Sequence, residues 1–324
     1  MKKRSEVGIP SLYCSGRGIS DTFYKVLKAV DKNGLSIRTE YDRKDKEGNF
    51  IDPPSKDAKV MIRIQNIFSK PRIPIISYMN VGKYIAEMLG AKDHLVVPHN
   101  ELFKMIHSGN EEFEPTQWPY IYHERLTNYP MSNGDTVNQL EKVVDKLAKS
   151  PITRRAIAMT GLPEIDTFMK SDAPCLRELQ FRAIEDEKGR LVLNTDVTWR
   201  SRDLYKAWCD NLVGLRNLIR FRVALPLQKE TGKEVIIGPY TEKNGSLHIY
   251  GQDYSEKGMD KFFEVNPTLK NFLAKTTEKQ EDLEYNLIEE LKELKEEKTW
   301  NFPKKSIELI NYLIQTFESG EFKP

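Results

Sequence analysis

Cys175 stands in DAPCLRELQF, residues 172 to 181, between a proline and a stretch that reads as a strand. Taken alone, a buried cysteine is a small apolar side chain. Near fixed positive charge it becomes a thiolate nucleophile. Neighbouring segments supply such charge. WRSRD places Arg200 and Arg202 at the end of one predicted strand, and TRR places Arg154 and Arg155 at the start of another. Four guanidiniums beside one thiol would lower its pKa, and their planar forks suit bidentate capture of a phosphate. A lone arginine pair reads as solvated surface charge. Beside this cysteine segment, the same residues point to covalent chemistry on a phosphorylated molecule.

The bulk numbers leave room for that chemistry and argue against others. Fifty Lys+Arg against 48 Asp+Glu give a net charge of +2. No global field draws the chain to nucleic acid or anionic lipid, and it has no aromatic-basic stripe. Small molecules, or a second copy of the chain, are the expected partners. Three cysteines at wide spacing make no disulfide framework, which suits a reduced cytoplasmic setting. No Cys or His spacing matches a zinc site, so no metal is expected. The N-terminal stretch lacks an apolar core of signal-peptide length, and no run approaches a membrane span.

Elements must position these residues. ISDTFYKVLKAVDKNG predicts a helix with Asp21 as its cap, and AKVMIRIQNI a strand. VGKYIAEMLGA predicts a short helix, and residues 107 to 120 a loop. DTVNQLEKVVDKLAKSP predicts a helix capped by Asp135 or Thr136. RRAIAMTG begins a strand. CLRELQFRAIEDEKGRLVLNTDVTWRS predicts two strands around a Lys188-Gly189 turn. A long, largely buried helix follows from DLYKAWCDN to about residue 232, then a last short strand in GSLHIYGQDY. From about residue 257 the chain reads as helical and rich in Lys and Glu. Helices and strands mixed without regular βαβ alternation predict an α+β fold, a central mixed or antiparallel sheet with helices on one side.

Five segments, in order, resemble the thymidylate synthase family of pyrimidine-nucleotide C5 transferases. They are RLTNYP, DTVNQLEKVVDKLAKSPITRRAIA, APCLRELQF, WRSRDLYKAWCDN and HIY, within residues 120 to 254. The resemblance implies Cys175 as the nucleophile that adds to carbon 6 of the base. It implies Arg200 and Ser201 on the 5′-phosphate, joined by Arg154 and Arg155 from the other subunit of a homodimer. Asn211 would read the base: an amide suits uracil, whereas a carboxylate, as in the adjacent Asp210, would suit cytosine. His248 and Tyr250, two apart on one strand face, would hold the sugar hydroxyl. Asp203 would orient the base or the pterin. Tyr122, 32 residues before Arg154, corresponds to an active-site tyrosine, and Glu87 to a glutamate that organises proton transfer. Arg38, or else Arg43, would supply a further phosphate contact. The resemblance also implies a sheet face at the dimer interface.

The chain departs from the family on the cofactor side. Leu176 follows the cysteine where His is usual, a tryptophan-rich segment is absent between residues 88 and 117, and FESGEFKP is unlike the usual apolar tail. The expected organisation is a catalytic domain over 1–256 with a helical extension, 257–324, packed on it. The expected reaction moves a one-carbon unit from 5,10-methylenetetrahydrofolate, or a tetrahydromethanopterin analogue, to dUMP, giving dTMP. The alternatives are a 5-hydroxymethylase of dUMP, dCMP or CMP, and a catalytically silent nucleotide-binding relative.

Overall fold

Apolar and polar residues alternate strictly through LVLNTDVTW, and every second side chain from Leu191 to Trp199 is buried. The same rule writes the rest of the central sheet. The computed structural model describes residues 8–75, 80–170, 173–256 and 258–320. Its strands are β1 (Ser11–Gly16), β2 (Leu35–Ile37), β3 (Ser55–Ile64), β4 (Tyr129–Pro130), β5 (Thr136–Val137), β6 (Ile157–Met159), β7 (Leu176–Glu185), β8 (Leu191–Trp199), β9 (Arg202–Asp203) and β10 (Val235–Ile249). The main sheet runs β1-β3-β10-β8-β7-β6, with β2 beside β3 and β9 beside β10. Pairing is mixed: β1 with β3 and β8 with β10 are parallel, while β3–β10, β7–β8 and β6–β7 are antiparallel. With its helices, this is the expected α+β class.

The helices are α1 (Ile19–Asn33), α2 (Val81–Met88), α3 (His99–Ser108), α4 (Tyr122–Thr127), α5 (Gln139–Lys149), α6 (Pro163–Asp166), α7 (Trp208–Ile219), α8 (Leu225–Thr231), α9 (Gly251–Glu256), α10 (Met259–Val265), α11 (Leu269–Glu278), α12 (Gln280–Glu296) and α13 (Lys304–Glu318). Helices α1, α5 and α7 pack on the sheet or on each other. The opposite face leaves Tyr13, Met61, Met159 and Ile184 exposed. The C-terminal helices join the same core: Phe262 and Phe272 pack against Phe23 of α1, and the Gly82 N–H donates to Glu290 of α12 at 2.6 Å.

Several local expectations are corrected. Gly18, not Asp21, caps α1; Asp21 sits one turn in and accepts from the Gly18 N–H at 2.6 Å. Asn138, not Asp135 or Thr136, caps α5 and accepts from the Glu141 N–H at 3.2 Å. The long helix begins at Trp208 rather than Asp203 and passes through a π turn, Arg220–Ala224, ahead of Pro226. The strand expected at 245–254 is the end of the 15-residue β10, and the chain turns helical at Gly251. A Cβ at Gly251 would lie 1.9 Å from the Pro53 carbonyl, so only glycine fits there.

Candidate active site

Cys175 immediately precedes β7, at the end of the sheet where β8 finishes, and is half-buried. Its carbonyl accepts the Arg200 N–H at 2.9 Å, which fastens the cysteine to the Arg200-Ser201 turn. The Arg200 guanidinium grips the preceding backbone: Nε donates to the Ala173 and Pro174 carbonyls at 3.2 Å each, and Nη2 donates to Ala173 as well. Arg177 donates to the Pro174 carbonyl from the other side at 3.3 Å and pairs with Asp166 at 3.1 Å. Two guanidiniums thus fix the approach to the thiol. Arg177 escaped the sequence reading, although its place two residues after the cysteine was a usable signal. Asp172 lies outside the described residues.

Tyr122 opens α4 and points its hydroxyl at the Leu176 N–H, 3.5 Å away, beside Cys175. Burial, then the neighbouring thiol, pushes its pKa up, so the phenol stays protonated. Its ring meets Trp199 edge to face at 6.0 Å. Arg202 does not join a phosphate clamp. It points into the core, pairs with the fully buried Glu242 at 2.6 Å and lies 4.1 Å from the Trp199 ring. Its Nε faces Asn211 Oδ1 at 3.4 Å, and Asn211 Nδ2 donates to the Tyr84 hydroxyl at 2.9 Å. Tyr84 and Glu242 were missed by the sequence reading. Tyr84 precedes Glu87 by one helical turn, so the two share a face of α2.

Glu87 is largely buried and pairs with Lys92 at 3.0 Å; burial raises its pKa, and Lys92 opposes that. The Lys92 ammonium lies about 5 Å from the rings of both Trp118 and Trp300. Asp203 and His248 are paired across β9 and β10. Burial drives the Asp203 pKa up to about 6, with the Asp253 charge adding to it. Burial drives the His248 pKa down to about 4, helped by Arg200 and Lys206. His248 Nδ1 contacts the Ser246 hydroxyl at 3.2 Å, while its buried Nε2 has no partner among the described residues. Tyr250 packs against His248 with ring centroids 4.5 Å apart.

Other expected residues stand apart. Arg154 and Arg155 are exposed on the loop before β6. The Ala156 carbonyl beside them accepts the Phe181 N–H, six residues along β7 from Cys175. That is about 20 Å of strand, so neither arginine reaches its own chain's thiol. Arg38 lies on a surface loop, donates to the Asp52 carbonyl at 2.8 Å and covers the Phe50 ring at 4.0 Å. Arg43 is held by Asp52 through two 2.7 Å bonds. A hollow of about 1220 Å³ lies elsewhere, between α3, α4, α5 and Arg222, and Cys175 does not line it. Asp93, Glu124, Asp135, Glu141, Asp145 and Glu164 outnumber Arg222 and Lys305 on its wall, which would repel a phosphate.

Cys175 is held at a sheet end beside Tyr122, and contacts run from Tyr122 through Trp199 and Arg202 to Asn211. The comparisons give the family. The thymidylate synthase family model matches residues 108–323, so the chain belongs to the thymidylate synthase family. A Methanosarcina mazei protein named "Putative thymidylate synthase" is 30% identical over 256 residues, 78% of this chain and 95% of its own. A Methanocaldococcus jannaschii protein of the same name is 35% identical over 135 residues, 40% of this chain and 55% of its own. The solved thermostable thymidylate synthase A from Bacillus subtilis shares the fold, with a TM-score of 0.52 and 21% identity over 73% of this chain and 81% of that one. Among the described residues, no helix is long and apolar enough to cross a membrane.

Proposed function

We propose that the protein moves a one-carbon unit from a methylene-tetrahydrofolate-type donor to carbon 5 of dUMP, giving dTMP. The observation that carries this reading is the joining of Cys175, Tyr122 and Asn211 through Trp199, Arg202 and Tyr84 at one sheet end. The Cys175 thiolate adds to carbon 6. The electrons of the 5,6 double bond move toward O4, and carbon 5 becomes a nucleophile. Asn211 accepts from N3–H and donates to O4. Neutral His248 uses Nε2, with Tyr250, on the sugar hydroxyl. Arg200 engages few of its five N–H donors on the cysteine segment and turns the rest, with Ser201, to the phosphate. The Arg38 loop touches this part of the molecule through Tyr41, which packs on Tyr250 at 6.1 Å, and Arg38 would have to leave Asp52 and Phe50 to meet the phosphate.

A reduced pterin, whether a tetrahydrofolate or a tetrahydromethanopterin analogue, would supply both the activated methylene group and the hydride that makes it a methyl, leaving in the dihydro form, while carbon 5 gives up its proton and the C6–S bond breaks to free Cys175. Asp203 fits such a ring: it is a desolvated carboxylate suited to an N–H edge, and it is steadied by the Lys206 N–H at 2.9 Å. Glu87 and Tyr122 are the groups at hand to hold or pass protons. Arg154 and Arg155, too far from their own thiol, reach the phosphate held by the other subunit of a homodimer.

The test is release of tritium from carbon 5 of labelled dUMP. Release should occur in the wild type and fall by roughly 10³-fold or more in Cys175→Ser. Absence of exchange with dUMP, dCMP and CMP alike would refute the reading and leave a nucleotide-binding protein.

A further inference from the structure

We propose that Tyr84 and Arg202 lock the Asn211 amide in the one orientation that reads uracil and rejects cytosine. The inference rests on the nucleotide site described above and names what sets its base preference. An asparagine amide carries one acceptor and one donor group of nearly equal shape. Unrestrained, it could turn over and serve either base.

Here it is held at both ends. The Arg202 Nε has only a hydrogen to offer, so Oδ1 must face it, at 3.4 Å. Nδ2 donates to the Tyr84 hydroxyl at 2.9 Å. Arg202 cannot turn away, because Glu242 holds it at 2.6 Å and the Trp208 carbonyl at 2.9 Å. Glu242 is itself fixed by Trp208 Nε1 at 2.6 Å, the Tyr240 hydroxyl at 2.7 Å and Asn244 Nδ2 at 3.0 Å. Tyr84 is seated by a gap in α7. A Cβ on Gly214, almost one turn beyond Asn211, would come within 2.7 Å of the Tyr84 ring and 2.9 Å of Met88 Cγ.

One lone pair of Oδ1 and one hydrogen of Nδ2 remain. They complement N3–H and O4 of uracil. Cytosine presents the reverse pattern, an acceptor at N3 and a donor at N4, and only the turned-over amide would match it. Turning it over would set an N–H donor against Arg202 Nε. The choice of base therefore depends on the lock as well as on the residue type at 211.

A tyrosine hydroxyl can donate as well as accept, so Tyr84 fixes the place of the amide and the donor-only Arg202 fixes its sense. Calorimetric binding of dUMP and dCMP to the wild type, to the paired variant Arg202→Met/Glu242→Gln, which removes the donor without leaving a buried charge, and to Arg202→Lys, which keeps a donor, tests this. The wild type should prefer dUMP. The paired variant should narrow the dUMP-to-dCMP affinity ratio by about tenfold, the worth of one hydrogen bond. Arg202→Lys should keep more of the preference than the paired variant does. General loosening of the site would weaken both nucleotides together, because they share phosphate and sugar. An unchanged ratio in the folded paired variant, or wild-type preference for dCMP, overturns the lock. Binding of neither nucleotide by the wild type overturns the underlying site reading, and the lock with it.

Discussion

Asp203 and His248 face each other across β9 and β10 with their titrations moved in opposite directions. Burial is the main cause for both, since it penalises whichever form is charged. At neutral pH the site therefore holds an anionic Asp203 and a neutral His248. If Asp203 must be a carboxylate to accept from the pterin, KM for the pterin should rise as pH falls through about 6. Asp203→Asn should flatten that profile, and steady-state kinetics against pH would show it. His248 has a stability consequence. Its folded pKa, about 4, lies below the ordinary 6.5, so its contribution is full above 6.5 and is lost as pH falls toward 4. Denaturant unfolding at pH 7 and pH 5 should show a smaller loss in His248→Gln than in the wild type. The identities of these residues were legible because residue type and order survive in five segments. Direction was not. Arg200 and Arg202 look equivalent in WRSRD, but the turn between β8 and β9 sends one to the surface and the other into the core.

At the scale of elements, the surroundings of Asn211, the proposed base reader, depend on where β10, α2 and α7 meet. Glu242 is fully buried in β10 and is paired to Arg202 from β9. Removing one partner of a buried ion pair leaves an uncompensated charge. Glu242→Ala should therefore cost about 3–5 kcal/mol in denaturant unfolding, and a cost below about 1 kcal/mol would contradict the network. Periodicity made β7, β8 and α1 plain in the sequence. It hid the length of β10, because Gly238, Pro239 and Gly245 interrupt the alternation and register shifts absorb them. It also left Tyr84 unread: a tyrosine on an amphipathic helix looks like core until the gap at Gly214 is seen.

For the whole molecule, the exposed Arg154-Arg155 loop and the uncovered sheet face favour sites shared between two copies. Mixing Cys175→Ala with an Arg154→Ala/Arg155→Ala double variant should restore about a quarter of wild-type activity, through heterodimers with one complete site. Activity no higher than the parents' would mean that the arginines do not act across an interface. The C-terminal helices could be recognised as helices from their leucine period, but their docking on α1 and α2 could not, because it depends on contacts such as Phe272 on Phe23. The central claim, C5 transfer through Cys175, is tested most directly by the mass of the nucleotide after incubation with dUMP and methylene-tetrahydrofolate. The account predicts a gained methyl group in the wild type and unchanged dUMP with Cys175→Ser. A product that still forms without the Cys175 thiol would contradict it.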